Sequence, residues 1–412
     1  MFEFIHAADI HLDSPLRGLS HFDDAPVDQI RAATRQAFEN LVDLAIRESV
    51  SFILIAGDLW DGSWPDAGPG LFFIRQAKRL RHAGIPIYVV KGNHDAENTL
   101  TRDLRFPDNV HVFGHLRPET QRIELLNVAI HGQSFREKNI TSDLTANYPS
   151  EIPGVFNIGL LHTCLDGSLL HPSYAPVSAA TLAAKHYQYW ALGHVHQRRS
   201  IEEDGVPIVF PGNLQGRFIP EIGPKGCEIV TVDDDFTTSS RFEALDVVRW
   251  LEETVDLTSA NSVDDVDRLA AEVLNRARVN HAGRLLAIRL HLHGTTELTS
   301  WLLRGEDLRD RLTSIAIDLG EIWLERIIVE TLPPAATREF PLAGEISEII
   351  GELDGDEIRT GEWMKPFGNL SAQLTGELAE SDVAHILTDS ASFRALVRRC
   401  GTLCLAGEGG QQ

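Results

Sequence analysis

Ile87-Tyr88-Val89-Val90-Lys91-Gly92-Asn93-His94-Asp95 decides the reading of this chain, because an apolar β-type run ends there in a glycine, an amide, an imidazole and a carboxylate. Alone, Gly-Asn-His-Asp also has an ordinary reading as a turn. Four more clusters shift the balance. They are Gly57-Asp58 behind Phe52-Ile53-Leu54-Ile55, Asp9-Ile10-His11 behind the opening residues, His162 behind Ile158-Gly159-Leu160-Leu161, and Gly193-His194-Val195-His196. Each ends a predicted strand. Together they supply hard carboxylates, one amide oxygen and several imidazoles, the donor set of a site for two divalent cations. Alternation along a strand predicts that Asp9 and His11 share a side, and likewise His194 and His196. Gly57 permits a tight exit turn before Asp58, whose two oxygens suit a bridge between ions. Asn93 adds an oxygen without charge, which suits a site that must accept a phosphate.

The rest of the first ~245 residues reads as βαβ units. Further strands are expected at Asn109–Phe113, Val155–Leu161 and Pro207–Phe210, and helices at 28–49 and 69–83. The first helix carries an apolar stripe at Ile30, Ala33, Ala37, Leu41, Leu44 and Ala45. Closer spacing of the later strands predicts mixed sheets. Three domains are expected, at 1–245, 246–335 and 336–412. The second reads as a small α+β cap. It has a helix through Val273 and Leu274, a strand from Leu285 stopped by Gly294, a helix near 297–313 and a strand at Glu325–Glu330. Leu332-Pro333-Pro334-Ala335 reads as a linker. The third is helical, with stripes at Ile346, Ile349, Ile350 and Leu353 and at Val383, Ile386, Leu387, Leu396 and Val397.

Composition limits the classes. With 412 residues and a net charge of -23, the whole surface cannot be a nucleic-acid footprint. A nuclease is not excluded, because bound metal ions supply local positive charge. No apolar run reaches the length of a membrane span, and the first residues read as a strand rather than a leader, so a cytoplasmic location is expected. Four scattered cysteines suggest no disulfide framework, and Cys400 and Cys404 read as packed residues rather than a zinc half-site.

The ordered clusters resemble those of the calcineurin-like metallophosphoesterases. His6-Ala7-Ala8-Asp9-Ile10-His11-Leu12, Gly57-Asp58-Leu59-Trp60 and Tyr189-Trp190-Ala191-Leu192-Gly193-His194-Val195-His196 are similar to the SbcD nuclease branch. Asp61-Gly62, Leu161-His162-Thr163, Tyr174-Ala175-Pro176 and Pro211-Gly212-Asn213-Leu214-Gln215-Gly216-Arg217 resemble its YhaO-type subgroup. The likeness is strong over roughly residues 1–230. It implies an α/β fold, a four-layer αββα sandwich with a cap. It also implies that Asp9, His11, Asp58 and His196 hold one ion while Asp58, Asn93, His162 and His194 hold the other. His94 would contact the scissile phosphate or protonate the leaving oxygen, with Asp95 orienting it. Oxygen and imidazole donors without thiolate suit Mn²⁺, with Fe or Zn as alternatives.

The implied function is metal-dependent hydrolysis of DNA phosphodiesters in repair, as exonuclease or endonuclease. The implied partners are DNA and an SbcC-like coiled-coil ATPase engaged by the C-terminal helices, with a homodimer left open. A phosphatase or phosphodiesterase of small nucleotides is the alternative, and a non-catalytic scaffold is disfavoured by the full ligand set. One position departs from the branch: SbcD-type nucleases have a histidine three residues after the bridging aspartate, where this chain has Asp61. Arg198 and Arg199, just after the last ligand pair, are candidate substrate contacts. The basic helix with Arg75, Lys78, Arg79 and Arg81 reads as a solvated face, with a phosphate-backbone contact as the alternative, and His171, in the loop after His162, reads as a loop residue with a substrate contact as the alternative. His6, His82, His111, His131 and His186 read as solvated or core-edge.

Overall fold

A computed structural model describes residues 1–14, 25–61, 67–97, 104–165, 174–305 and 307–334, with isolated residues between 351 and 400. One compact unit comprises Met1–Leu251 and His281–Ala287, and a second comprises Glu252–Asn280 and the chain from Ile288 onward.

The first unit is built on two six-stranded sheets. One has the order β12 (Thr238–Ala244), β11 (Gly226–Val232), β1 (Phe2–Ala7), β2 (Phe52–Ala56), β3 (Ile87–Val90), β4 (Val110–Val112). Its strands β1 to β4 run parallel, while β11 and β12 are antiparallel. The other has the order β5 (Glu119–Ile123), β6 (Val128–Gly132), β7 (Phe156–His162), β8 (Tyr189–Gly193), β10 (Val206–Phe210), β9 (Arg199–Glu203). Both sheets are mixed: the first is antiparallel at its β11–β12 side and parallel through to its β4 edge, and the second has a parallel centre and two antiparallel edges.

Strand β2 shows how sequence becomes layers. All five of its residues are buried, as expected for a central parallel strand. Phe52, Leu54 and Ala56 face the space between the sheets, where Phe4, Val128, Phe156, Ile158 and Tyr189 complete one core. Phe4 and Phe52 stack there with centroids 4.9 Å apart. Ile53 and Ile55 face the other way, onto helices α1 (Val27–Glu48) and α2 (Gly68–His82). The whole expected stripe of α1 is buried. Outside the second sheet the cover is thinner: Tyr148, Leu182, Tyr187 and Trp190 with one short helix, α4 (Ala179–Ala183). Helix α3 (Asn93–Glu97) lies between β3 and β4. This is the αββα sandwich expected from the sequence.

The remaining elements are β13 (Val248–Asp256), α5 (Val263–Asn280), β14 (Leu285–Thr295), α6 (Thr299–Arg304), α7 (Leu308–Leu319) and β15 (Ile322–Leu332), with the strands in the order β13-β14-β15. Two expectations are corrected. Gly294 does not stop the strand, which runs on to Thr295. With φ +106°, and with space for a Cβ only 2.6 Å from Thr258 Oγ1, this glycine permits a close approach of neighbouring chain instead. The helix near 297–313 is two helices, the first ended by Gly305 in a left-handed conformation. The stripe at Ile346, Ile349, Ile350 and Leu353, and Val383, Ile386 and Leu387, lie outside the described residues; Leu396 and Val397 are helical, the first exposed and the second half-buried. Among the described residues, no helix is long and apolar enough to cross a membrane.

Candidate metal centre

The expected ligands gather at the carboxyl ends of the central strands. Asp9 and His11 follow β1, Asp58 follows β2, and Asn93 opens α3 after β3. From the second sheet, His162 ends β7, and His194 and His196 follow β8. Asp9, His11, Asp58, Asn93, His162 and His194 are buried, and the His196 side chain is 24% exposed. Ligand atoms of Asp9, His11 and His196 lie within 4.8 Å of one another, as do those of Asp58, His162 and His194, and those of His11, Asp58 and His94.

Strand alternation is not what brings them together. Asp9 (φ +49°), His11 (φ +47°), Asp58 (φ +49°) and His194 (φ +99°) all adopt positive φ beyond the strand ends. Such backbone costs on the order of 1–3 kcal/mol per residue and persists where surrounding structure over-determines it. Here the loops after β1 and β2 are zipped together: Asp9 N–H donates to Gly57 O, His11 N–H to Asp58 O and Leu12 N–H to Leu59 O, each at 3.0 Å. His194 N–H donates to the Asp9 carboxylate at 2.9 Å, tying the second sheet to the first. Gly193 makes that approach feasible, since a Cβ there would lie 1.9 Å from Ala56 O. His194 and His196, expected on geometric grounds to share an ion, fall into different clusters, as the family likeness implied.

His11 and His196 face each other through Nε2 atoms 3.2 Å apart, with Asp9 Oδ1 3.9 Å from His196 Nε2. His162 Nε2 lies 3.0 Å from Asn93 Oδ1 and 3.3 Å from Asp58 Oδ2, while its Nδ1 is fixed by Ala56 O at 2.9 Å. His11 Nδ1 is buried and, among the described residues, has no hydrogen-bond partner, with a carboxylate oxygen of Asp61 3.8 Å away. Burial pushes the His11 imidazole down to about 3, the neutral form that ligates, and pushes the Asp9 carboxyl up to about 6. Burial would also raise Asp58, but the surrounding imidazoles, His162 first, outweigh it and hold the carboxyl well below the usual range. Buried, facing oxygen and imidazole donors of this kind fit a pair of divalent cations.

The structure corrects the role given to Asp95. Its carboxylate is buried and accepts three backbone N–H groups, from Trp60 (2.8 Å), Gly92 (2.9 Å) and Leu59 (3.2 Å). It therefore locks the Asp58 loop to the turn before Asn93 and does not orient the His94 ring. That ring is held by Asp61, whose Oδ1 lies 2.7 Å from His94 Nδ1. Burial would lower His94, but this hydrogen bond and the charges of Asp58 and Asp61 outweigh it, and the net shift is upward. Asp61 also accepts from Ser14 Oγ at 2.5 Å and lies 3.4 Å from Arg217 Nη1, so its charge is compensated within the site.

The candidate substrate cations lie as follows. Arg198 pairs with buried Glu228 and covers the Phe242 ring at 5.0 Å, and Arg199 begins edge strand β9 in an exposed position. Among the described residues, Arg217 brings a cation to the ligand side chains: it is only 13% exposed, 2.9 Å from Glu221 and 3.2 Å from His196 Nδ1. Sequence reasoning missed Arg217 and Glu221 as functional groups, although their four-residue spacing offered a faint signal. His6 and His131 are structural: the first binds Tyr189 OH and Leu192 O, the second Thr120 and Asn157. His171 lies outside the described residues.

Residues 2–198 match the family described as Calcineurin-like phosphoesterase, and residues 250–332 match Metallophosphoesterase YhaO, middle domain. The uncharacterized metallophosphoesterase YhaO of Bacillus subtilis is 35% identical over 368 residues, which cover 87% of this chain and 89% of that protein. The DNA double-strand break repair protein Mre11 of Sulfurisphaera tokodaii is 28% identical over 89% of this chain and 97% of its own. The solved structure of a dimetal phosphatase from Danio rerio aligns with 59% of this chain and 96% of that one, at 10% identity and a TM-score of 0.37.

Proposed function

From a chain that belongs to the calcineurin-like metallophosphoesterases, hydrolases of phosphoester bonds with a dinuclear divalent metal centre, we propose a two-metal phosphodiesterase that cleaves DNA in repair. The observation that carries the two-metal reading is the place of Asp58 in two of the three donor clusters. Asp9, His11, Asp58 and His196 would hold one ion, and Asp58, Asn93, His162 and His194 the other, with Mn²⁺ favoured by the donor set. Bound there, the ions would polarise the phosphoryl oxygens and activate a water.

The chain's own groups do the rest. His94, held through Nδ1 by Asp61, presents its remaining nitrogen to the leaving oxygen and donates the proton. Arg217 balances Asp61 and Glu221, which lowers the repulsion an incoming phosphodiester meets. Asp95 keeps Asp58 and Asn93 in register through backbone N–H groups. DNA is favoured over a small nucleotide by the relative described as a DNA double-strand break repair protein, which matches along nearly its whole length. A coiled-coil ATPase engaged by residues 336–412, a homodimer and a cytoplasmic location complete the proposal.

The test is incubation of the Mn²⁺-loaded protein with labelled single-stranded and double-stranded oligonucleotides, and separately with mononucleotide esters. Oligonucleotide cleavage that weakens steeply with salt is expected, because each neutralised phosphate releases counterions. Faster turnover of mononucleotide esters with shallow salt dependence would replace this reading with a small-nucleotide phosphodiesterase.

A further inference from the structure

His162 and His196 are held from behind in different ways. The Nδ1 of His162 faces a neutral backbone oxygen, Ala56 O. The Nδ1 of His196 faces a carboxylate, Glu221 Oε1, at 2.6 Å. Glu221 is 4% exposed, and its other oxygen accepts from Asn213 Nδ2 and from Arg217 N–H, both at 2.8 Å. Its charge faces the Arg217 guanidinium at 2.9 Å. The His196 backbone is fixed separately, its carbonyl accepting from Lys225 Nζ at 2.9 Å and from Asn213 N–H at 3.3 Å.

A buried carboxylate paired with Arg217 and so close to Nδ1 takes its N–H and leaves the Nε2 lone pair toward Asp9 and His11. Such carboxylates orient the ring, make it more basic and raise metal affinity. We propose that Glu221 is a positioning residue of the metal centre, fixing the His196 tautomer and strengthening selectively the ion site of Asp9, His11 and His196. Its role rests on His196 being a ligand. It makes the two ion sites unequal by construction, one backed by a buried carboxylate and the other by a peptide oxygen.

The experiment is calorimetric titration of the metal-free full-length protein with Mn²⁺, alongside thermal melts. For Glu221→Gln, one of two binding events should weaken by about 10–100-fold, the usual effect of removing such a partner, while the other is unchanged. Glu221→Asp should recover part of the loss. Gln215→Ala is the loop control: Gln215 Nε2 anchors the same loop through Gly216 O and Val248 O without touching His196. It should lower the melting temperature and leave both events intact. If Gln215→Ala weakens one event as Glu221→Gln does, loop packing accounts for the effect and the proposal falls. Wild-type titration by Glu221→Gln, or equal weakening of both events, also overturns it. His196→Ala separates the two levels. If it abolishes one event while Glu221→Gln changes nothing, only the role of Glu221 fails; if it abolishes neither, the ligand assignment beneath fails.

Discussion

Replacing Asp61 by asparagine keeps the shape beside His94 and removes the charge. The bond at stake is a charge-assisted contact of 2.7 Å between Oδ1 and Nδ1, which the neutral amide oxygen weakens. Hydrogen bonds to charged groups contribute about 1.5–3 kcal/mol. With the His94 side chain 35% exposed, solvent screening favours the low end, about 1.5–2 kcal/mol. At about 1.4 kcal/mol per factor of ten, turnover should fall by roughly ten- to thirtyfold. The loss should depend on the leaving group. A natural diester leaves as an alkoxide that needs the proton, whereas p-nitrophenolate leaves without one. The full effect is therefore expected on an oligonucleotide and little on bis(p-nitrophenyl) phosphate, with metal content unchanged. The pH profile should move in a fixed direction. Asp61 raises the His94 pKa, so the protonated form is present below that pKa and lost as pH rises through it. Without the charge, the alkaline limb should begin at lower pH. Equal losses on both substrates, or release of metal, would refute the proton-donor role and its dependence on Asp61.

Asp58→Ala should reduce metal content more than Asp9→Ala, because Asp58 belongs to two donor clusters and Asp9 to one; elemental analysis reads the difference. His94→Ala should cut oligonucleotide turnover by about 10²–10⁴ while elemental analysis still finds the ions, the range for a positioned acid or base. Phe156→Ala, which empties a fully buried place between the sheets, should cost about 3–5 kcal/mol in a denaturant melt.

The strands and helices of the sandwich were legible because burial sorts their residues by period. The run Phe52–Ala56 had to be central, since both of its faces are apolar, and the α1 stripe had to face a core. The gathering of the candidate ligands was legible because each group ends such a run. What proximity along the chain suggested was less dependable. Asp95 adjoins His94, yet its carboxylate serves backbone N–H groups. The His94 partner, Asp61, lies 33 residues earlier and reaches the ring only because β2 and β3 are neighbours. Arg198 adjoins the last ligands but is drawn to Glu228 on β11, whereas Arg217 arrives on a loop from the far end of β10. Strand alternation also failed at Asp9 and His194, where positive φ replaces the pleat.

The seam at Gly193 and Ala56 has a bearing on how the protein comes to hold its ions. Asp9, His11, Asp58 and Asn93 belong to the first sheet, and His162, His194 and His196 to the second. Neither sheet alone owns a complete coordination set: of the candidate ligands the first sheet brings both carboxylates and one imidazole, and the second brings three imidazoles. With the ligand set proposed above, ion capture would be a late event in maturation, possible only when the sheets have docked, and the ions would then act as a clasp across the seam. In a refolding experiment, protection of Mn²⁺ from a chelator should arise together with burial of the aromatic residues between the sheets, and not before it.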